Sequence, residues 1–286
     1  MTRFEDLRLV EPLLRALREE KYERPTPIQQ QTIPVTLSGK DVLGCAQTGT
    51  GKTAAFALPI LQRLHEVPVP QPRHVRVLIL APTRELASQI DDSFKTYGRH
   101  VNVRSTVIFG GVGQNPQVQA LRQGVDVVIA TPGRLLDLMQ QRLVRLERVG
   151  ILVLDEADRM LDMGFIHDVK KVIAALPRQR QTLFFSATLP PDIKSLARDI
   201  LRDPVRVEVT PSATTVEKIA QSLYHVDKHG KFPLLASLLR DTAFKRTIVF
   251  TRTKRGANKL AEQLTKASIQ ADAIHGNKSQ NARERA

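Results

Sequence analysis

Six short apolar runs punctuate the first part of the chain, and they constrain the fold more than any other feature. They are DVLGCA (41–46), VRVLILAP (75–82), VRSTVIFG (103–110), VDVVIATP (125–132), GILVLDEAD (150–158) and QTLFFSAT (181–188). None alternates cleanly between apolar and polar residues, the mark of strands buried on both faces. Between them lie segments such as GKTAAFALPILQRLHE, TRELASQIDDSFKTYG and LPPDIKSLARDILRD, whose apolar residues recur at helical spacing. Strand–helix alternation of this kind predicts an α/β fold, a parallel sheet with helices on both faces.

The pattern breaks at VTPSATTVEKIAQ (209–221), rich in Ser, Thr and Ala, and then restarts. SLYHV, RTIVFT and QADAIH read as strands; KFPLLASLLRD and KRGANKLAEQLTKA read as helices. The reading is a first domain over 1–208, a linker over 209–220 and the beginning of a second α/β domain over 221–286. Ser279 is a candidate helix N-cap, yet the sequence ends at Ala286, so the natural chain is expected to continue.

AQTGTGKT (46–53) follows an apolar run and opens a helical one, the setting a phosphate-binding loop requires. It matches G-x-x-x-x-G-K-[ST] except at Ala46. Gln47, Thr48, Gly49, Thr50 and Gly51 would form the loop, with glycines turning backbone N–H groups toward phosphate oxygens. Lys52 would reach the β- and γ-phosphates, and Thr53 would offer its hydroxyl to Mg2+. A Gly-rich connector is the competing explanation. ILVLDEAD then supplies carboxylates at a strand's C-terminal end, where ligands of such sheets bind. Asp155 is suited to hold Mg2+, and Glu156 to orient or deprotonate an attacking water. Either Asp155 or Asp158 would also serve as a simple helix cap. Loop and carboxylates together indicate nucleoside triphosphate hydrolysis.

Charge adds a partner. The chain has 43 Lys and Arg against 29 Asp and Glu, a formal +14, with 14 basic and 6 acidic residues from Glu217 onward. Such an excess suits a polyanion, most often nucleic acid, although it also suits a merely soluble basic protein. The single cysteine, Cys45, excludes an internal disulfide and fits a reducing compartment. There is no secretory signal pattern and no apolar run of membrane-spanning length, so a cytoplasmic protein without membrane contact is expected. The seven histidines show no metal-ligand spacing, and no zinc is expected.

Asp155-Glu156-Ala157-Asp158 spells DEAD. With AQTGTGKT it makes the chain similar to the DEAD-box ATP-dependent RNA helicases. YERPTPIQ (22–29) resembles their Q motif, with Phe4 as the isolated upstream aromatic. PTRELA (82–87), Gly110-Gly111 and TPGR (131–134) resemble the RNA-contacting motifs of the first domain. SAT (186–188) resembles the motif coupling ATP to RNA, and IVFTRT (248–253) and HGNKSQNARE (275–284) resemble the opening elements of the second. HGNKSQ and the compact N-terminus are most similar to the bacterial RhlE subgroup.

The resemblance implies a complete RecA-like first domain, with its Q motif within 2–30, and a partial RecA-like second domain. It implies ATP and Mg2+ as cofactors and RNA as partner, held largely without regard to sequence; ribonucleoprotein partners are left open. Tyr22, Thr26 and Gln29 would bind the nucleotide, with Gln29 reading adenine and Tyr22 stacking on it. Core packing competes for both aromatics and is the preferred reading of Phe4. Pro82, Thr83, Arg84, Gly111, Thr131, Pro132, Gly133 and Arg134, then Thr251, Arg252, Gln280 and Arg283, would contact RNA. A solvated face is the alternative for any single arginine. Ser186 and Thr188 would bond to Asp158 and couple the two sites, against a merely structural SAT. The family's later arginine motifs are absent from these 286 residues. Efficient hydrolysis and unwinding are therefore expected of the parent protein, and nucleotide binding with little turnover of this chain. The alternative is a nucleotide-dependent RNA-binding module without unwinding; a DNA translocase ranks third.

Overall fold

The computed structural model describes residues 2–209, 220–241 and 246–286. Two compact units divide the chain, Met1–Ala213 and Thr214–Ala286. The expected linker, 209–220, lies outside the described residues except at its two ends.

The first unit is built on one parallel sheet. Its strands are β1 (Val42–Cys45), β2 (Val77–Leu80), β3 (Ser105–Ile108), β4 (Val127–Ala130), β5 (Ile151–Leu154), β6 (Gln181–Ser186) and β7 (Val205–Glu208), in spatial order β3-β4-β2-β5-β6-β1-β7. All six apolar runs of the sequence are strands. Around the sheet run α1 (Glu11–Glu19), α2 (Pro27–Leu37), α3 (Lys52–Glu66), α4 (Arg84–Tyr97), α5 (Asn115–Gln123), α6 (Pro132–Gln140), α7 (Ala157–Asp162), α8 (Ile166–Ala174) and α9 (Pro191–Ile200).

Strand side chains alternate between two cores, which is why the runs are apolar throughout. Val77, Ile79, Val127, Ile129, Val153 and Phe185 pack with residues of α2, α3 and α4. Leu78, Leu80, Val128, Leu152, Leu154 and Phe184 pack on the other face with residues of α6, α8 and α9. β7 escapes the sequence pattern because it is an edge strand, pairing among the described residues only with β1. Val207 is buried in it while Arg206 and Glu208 are exposed.

At the N-terminal ends of the strands, fully buried Asp126 ties three segments together. Its carboxylate takes Arg76 Nη2 at 2.7 Å, the backbone N–H of Arg104 at 2.9 Å, and the Arg73 guanidinium. These bonds hold the entries to β2, β3 and β4 in register, away from the C-terminal ends where the candidate motifs lie.

The second unit contains α10 (Lys231–Leu239), α11 (Lys254–Lys266) and α12 (Gln280–Arg285). Thr253 caps α11 by accepting from Gly256 N–H at 3.0 Å, and Ser279 caps α12 by accepting from Ala282 N–H at 3.3 Å. The three strands expected here do not form among the described residues. A strand exists only as part of a ladder; in this unit Ile248 is 82% and Phe250 93% exposed. Among the described residues no helix is long and apolar enough to cross a membrane.

Asp126→Ala should leave two largely buried guanidinium groups without their acceptor, costing about 3–5 kcal/mol. Urea denaturation followed by circular dichroism measures it; a loss below about 1 kcal/mol would show the ion cluster to be incidental.

Candidate functional site

β1 ends at Cys45, and the Gly-rich loop leaves it at once, with Ala46 N–H bonded to Ser186 O of neighbouring β6 at 3.2 Å. Gly51, at φ 91°, caps α3 in a conformation that favours glycine. A Cβ there would also lie 2.4 Å from Gln29 Nε2. Gln29 therefore sits directly on the loop: its Nε2 donates to Gly51 O at 3.1 Å, and its Oε1 accepts from Thr26 N–H at 2.9 Å. Lys52 is 6% exposed, and its Nζ folds back to donate to Ala46 O at 3.0 Å.

The carboxylates arrive from β5, two strands away. Asp155 is 2% exposed and accepts Glu156 N–H at 3.0 Å. Burial pushes its carboxyl up to about 6; Lys52 opposes that rise and Glu156 adds to it. Glu156 stands at φ 51°, a left-handed conformation costing a non-glycine residue on the order of 1 kcal/mol. Its side chain pairs with Arg159 at 3.2 Å.

Loop, carboxylates and Q segment enclose one cleft of about 530 Å3. Tyr22, Thr26, Gln29, Thr48, Gly49, Gly51, Lys52, Thr53, Asp155 and Glu156 all border it. Gln47 and Thr50 do not; Thr50 Oγ1 instead donates to Gln47 O at 2.8 Å, bracing the loop from within. Phe4 is buried at 3% and borders the cleft as well, a core aromatic supporting its wall. Sequence reasoning missed Arg24 and one face of α4: Leu86, Gln89, Ser93 and Tyr97. Their helical spacing was the available signal. A somewhat larger hollow of about 600 Å3 beside β3 gathers neither the loop nor these carboxylates.

The donor set suits a magnesium nucleotide. Glycines open the loop, Lys52 is held at its centre, and a buried carboxylate borders the same cleft. Among the described residues no group of three or more His, Cys, Asp or Glu could hold a metal ion by itself.

The expected bonding of SAT to DEAD is present. Thr188 donates to Asp158 Oδ2 through both its N–H and its hydroxyl, each at 2.8 Å. Ser186 Oγ accepts from Asp158 N–H at 3.2 Å and donates to Thr188 O at 2.7 Å. Partial burial works against the charged form of Asp158, but the Thr188 bonds outweigh it and hold the carboxyl below its ordinary value.

The first-domain residues expected at RNA cluster on one end of the sheet. Thr83 begins α4 after β2, its hydroxyl accepting from Leu86 N–H at 3.2 Å. Thr131 begins α6 after β4, which pairs with β2. The two arginines are not simply solvated. Arg134 donates to Val112 O at 3.3 Å, and a Cβ on Gly111, whose φ is 75°, would lie 2.2 Å from the Arg84 guanidinium. Both support the loop after β3. In the second unit Thr251 and Arg252 are exposed, whereas Gln280 is 5% exposed. Arg283, on α12, is partly buried.

Asp155 carries a signed pH dependence. Its folded-state value lies near 6, above the ordinary 3.8, so ionisation costs stability at neutral pH. The cost disappears as pH falls from about 6 toward 4, where the folded protein takes up the proton first. Nucleotide-free Asp155→Asn should therefore be more stable than wild type at pH 7.5 by on the order of 3 kcal/mol, and the gap should narrow below pH 6 and close near pH 4. Thermal melts of both proteins across this range check it; a gap that widens toward low pH would contradict it.

Residues 26–196 match the DEAD/DEAH box helicase family. The chain is 40% identical over 280 residues to the DEAD-box ATP-dependent RNA helicase CshA of Bacillus subtilis, covering 98% of this chain and 56% of that protein. It is 42% identical over 284 residues to the ATP-dependent RNA helicase DeaD of Escherichia coli, covering 99% and 44%. It thus spans about half the length of these relatives. The crystal structure of a DEAD box protein from the hyperthermophile Methanococcus jannaschii superposes with a TM-score of 0.68 at 36% identity, covering 100% of this chain and 76% of that one. The chain belongs to the DEAD/DEAH box helicase family.

Proposed function

We propose that this chain supplies the ATP site of an ATP-dependent RNA helicase, in which nucleotide binding and hydrolysis are coupled to clamping an RNA strand and opening short duplexes. The observation that carries the reading is the single cleft in which Gln29, the Gly-rich loop and Asp155-Glu156 meet. The names of the bacterial relatives support it. A cytoplasmic location belongs to the same reading.

The residues divide the work. Gln29 spends one N–H and one lone pair on Gly51 and Thr26. An amide has a second of each, enough to pair with adenine N6 and N7. Tyr22 offers its exposed ring to the base. Lys52 leaves Ala46 O to meet the β- and γ-phosphates, aided by loop N–H groups and the start of α3. Thr53 and Asp155 would hold Mg2+, which when bound neutralises phosphate charge. Glu156 orients the attacking water and accepts its proton on the carboxylate. Thr188 and Ser186 register changes at Asp158. The starts of α4 and α6 present N–H groups to RNA phosphates, contacts that position a strand without reading its sequence. Discrimination of RNA from DNA then falls to 2′-hydroxyl contacts.

In the extended parent protein, Lys52→Ala and Glu156→Gln should each lower RNA-stimulated ATP turnover at least about 100-fold, the scale of losing one preorganised electrostatic partner. Turnover equal to wild type in both variants would remove this cleft from the reaction. Nucleotide-dependent retention of RNA with no strand separation in any form of the protein would leave the binding-module alternative.

A further inference from the structure

We propose that Tyr97 is a positioning residue for the base: it holds the Tyr22 ring as the wall against which adenine stacks. The inference rests on the nucleotide reading above and goes beyond the Q segment, since Tyr97 lies at the far end of α4.

Tyr22 follows α1 through Lys21, whose φ of 58° turns the chain. Its backbone N–H is fixed by Leu17 O at 2.9 Å. That leaves its side-chain torsions unset, and the ring is 49% exposed. An exposed ring that samples several rotamers loses that freedom when a base stacks on it, which weakens binding. Tyr97 supplies the missing constraint. Its side chain is 7% exposed, anchored in the core with Phe94 and Leu61. Its ring centroid lies 6.2 Å from that of Tyr22 at an interplanar angle of 56°, a tilted aromatic pair.

Both rings border the same cleft. Tyr97 also shares one α4 face with Gln89 and Ser93, so its support is a helix and not a loop. Burial first, and the neighbouring Tyr22 phenol second, push the Tyr97 hydroxyl well above the ordinary tyrosine value. A ring needed only for packing would have no reason to face the cleft beside the one exposed aromatic of the Q segment.

The test is calorimetric titration with Mg2+ and either ADP or inorganic tripolyphosphate, which has no base. Tyr97→Leu, which keeps apolar bulk, should weaken ADP about tenfold, the scale of a compromised base stack, and leave tripolyphosphate within about twofold. Tyr97→Phe, which keeps the ring, should stay within about twofold of wild type for both ligands. Tyr22→Ala should weaken ADP by a similar factor, and the double variant should be no weaker than the worse single one, because Tyr97 acts through Tyr22. If Tyr97→Leu does not fold, Tyr97→Met takes its place. Multiplying effects in the double variant, an equal loss for ADP and tripolyphosphate, or unchanged ADP affinity would overturn the proposal while leaving the nucleotide reading standing. Wild-type protein that binds no ADP would overturn both.

Discussion

The parallel register of β5, β6 and β1 decides where the chemistry of this protein sits. Leu154 pairs with Phe184, and Ser186 pairs with Cys45. The three strands therefore release their chains side by side: Asp155-Glu156 from β5, Ala187-Thr188 from β6 and the Gly-rich loop from β1. β5 and β6 are buried on both faces, so slipping either by a single residue would drive apolar side chains into the wrong core. The same packing that makes the sheet stable fixes the separation of a lysine, two carboxylates and a coupling serine that are far apart in sequence.

Function is added to this frame at a cost in stability. Asp155 is buried with its ionisation disfavoured, and Glu156 stands in a left-handed conformation. Neither feature helps folding, and both are of the kind that gathers at functional sites. Gln29 works differently, since the contact that supports the loop also aims its amide at the cleft. Gly51 is required twice, once for its positive φ and once because Gln29 occupies the space a side chain would need. The Q segment and the Gly-rich loop are thus parts of one packed contact. The Arg84 and Arg134 contacts on the loop after β3 follow a similar logic, with arginines holding backbone in shape as well as contributing charge.

Much of this was legible in the sequence, for a physical reason. Strands buried on both faces are uniformly apolar, and a phosphate loop needs Gly, Lys and Thr at fixed spacing, so both leave strong local traces. What was not legible depends on tertiary neighbours. β7 is a half-exposed edge strand whose identity comes from its pairing with β1. Tyr97 lies in a helix whose apolar stripe reads simply as core, and only the fold brings it to Tyr22. The expected strands of the second unit have strand-like composition, but composition cannot supply a ladder.

The central claim is that Gln29 makes adenine recognition and the phosphate loop a single site. Its most direct test is the ratio of ADP to GDP affinity, with Mg2+ present, in wild type and Gln29→Ala. The account predicts a wild-type preference for ADP of at least about tenfold, falling to about twofold or less in the variant, with ADP binding itself weakened. A preference for ADP that survives the substitution unchanged would contradict it.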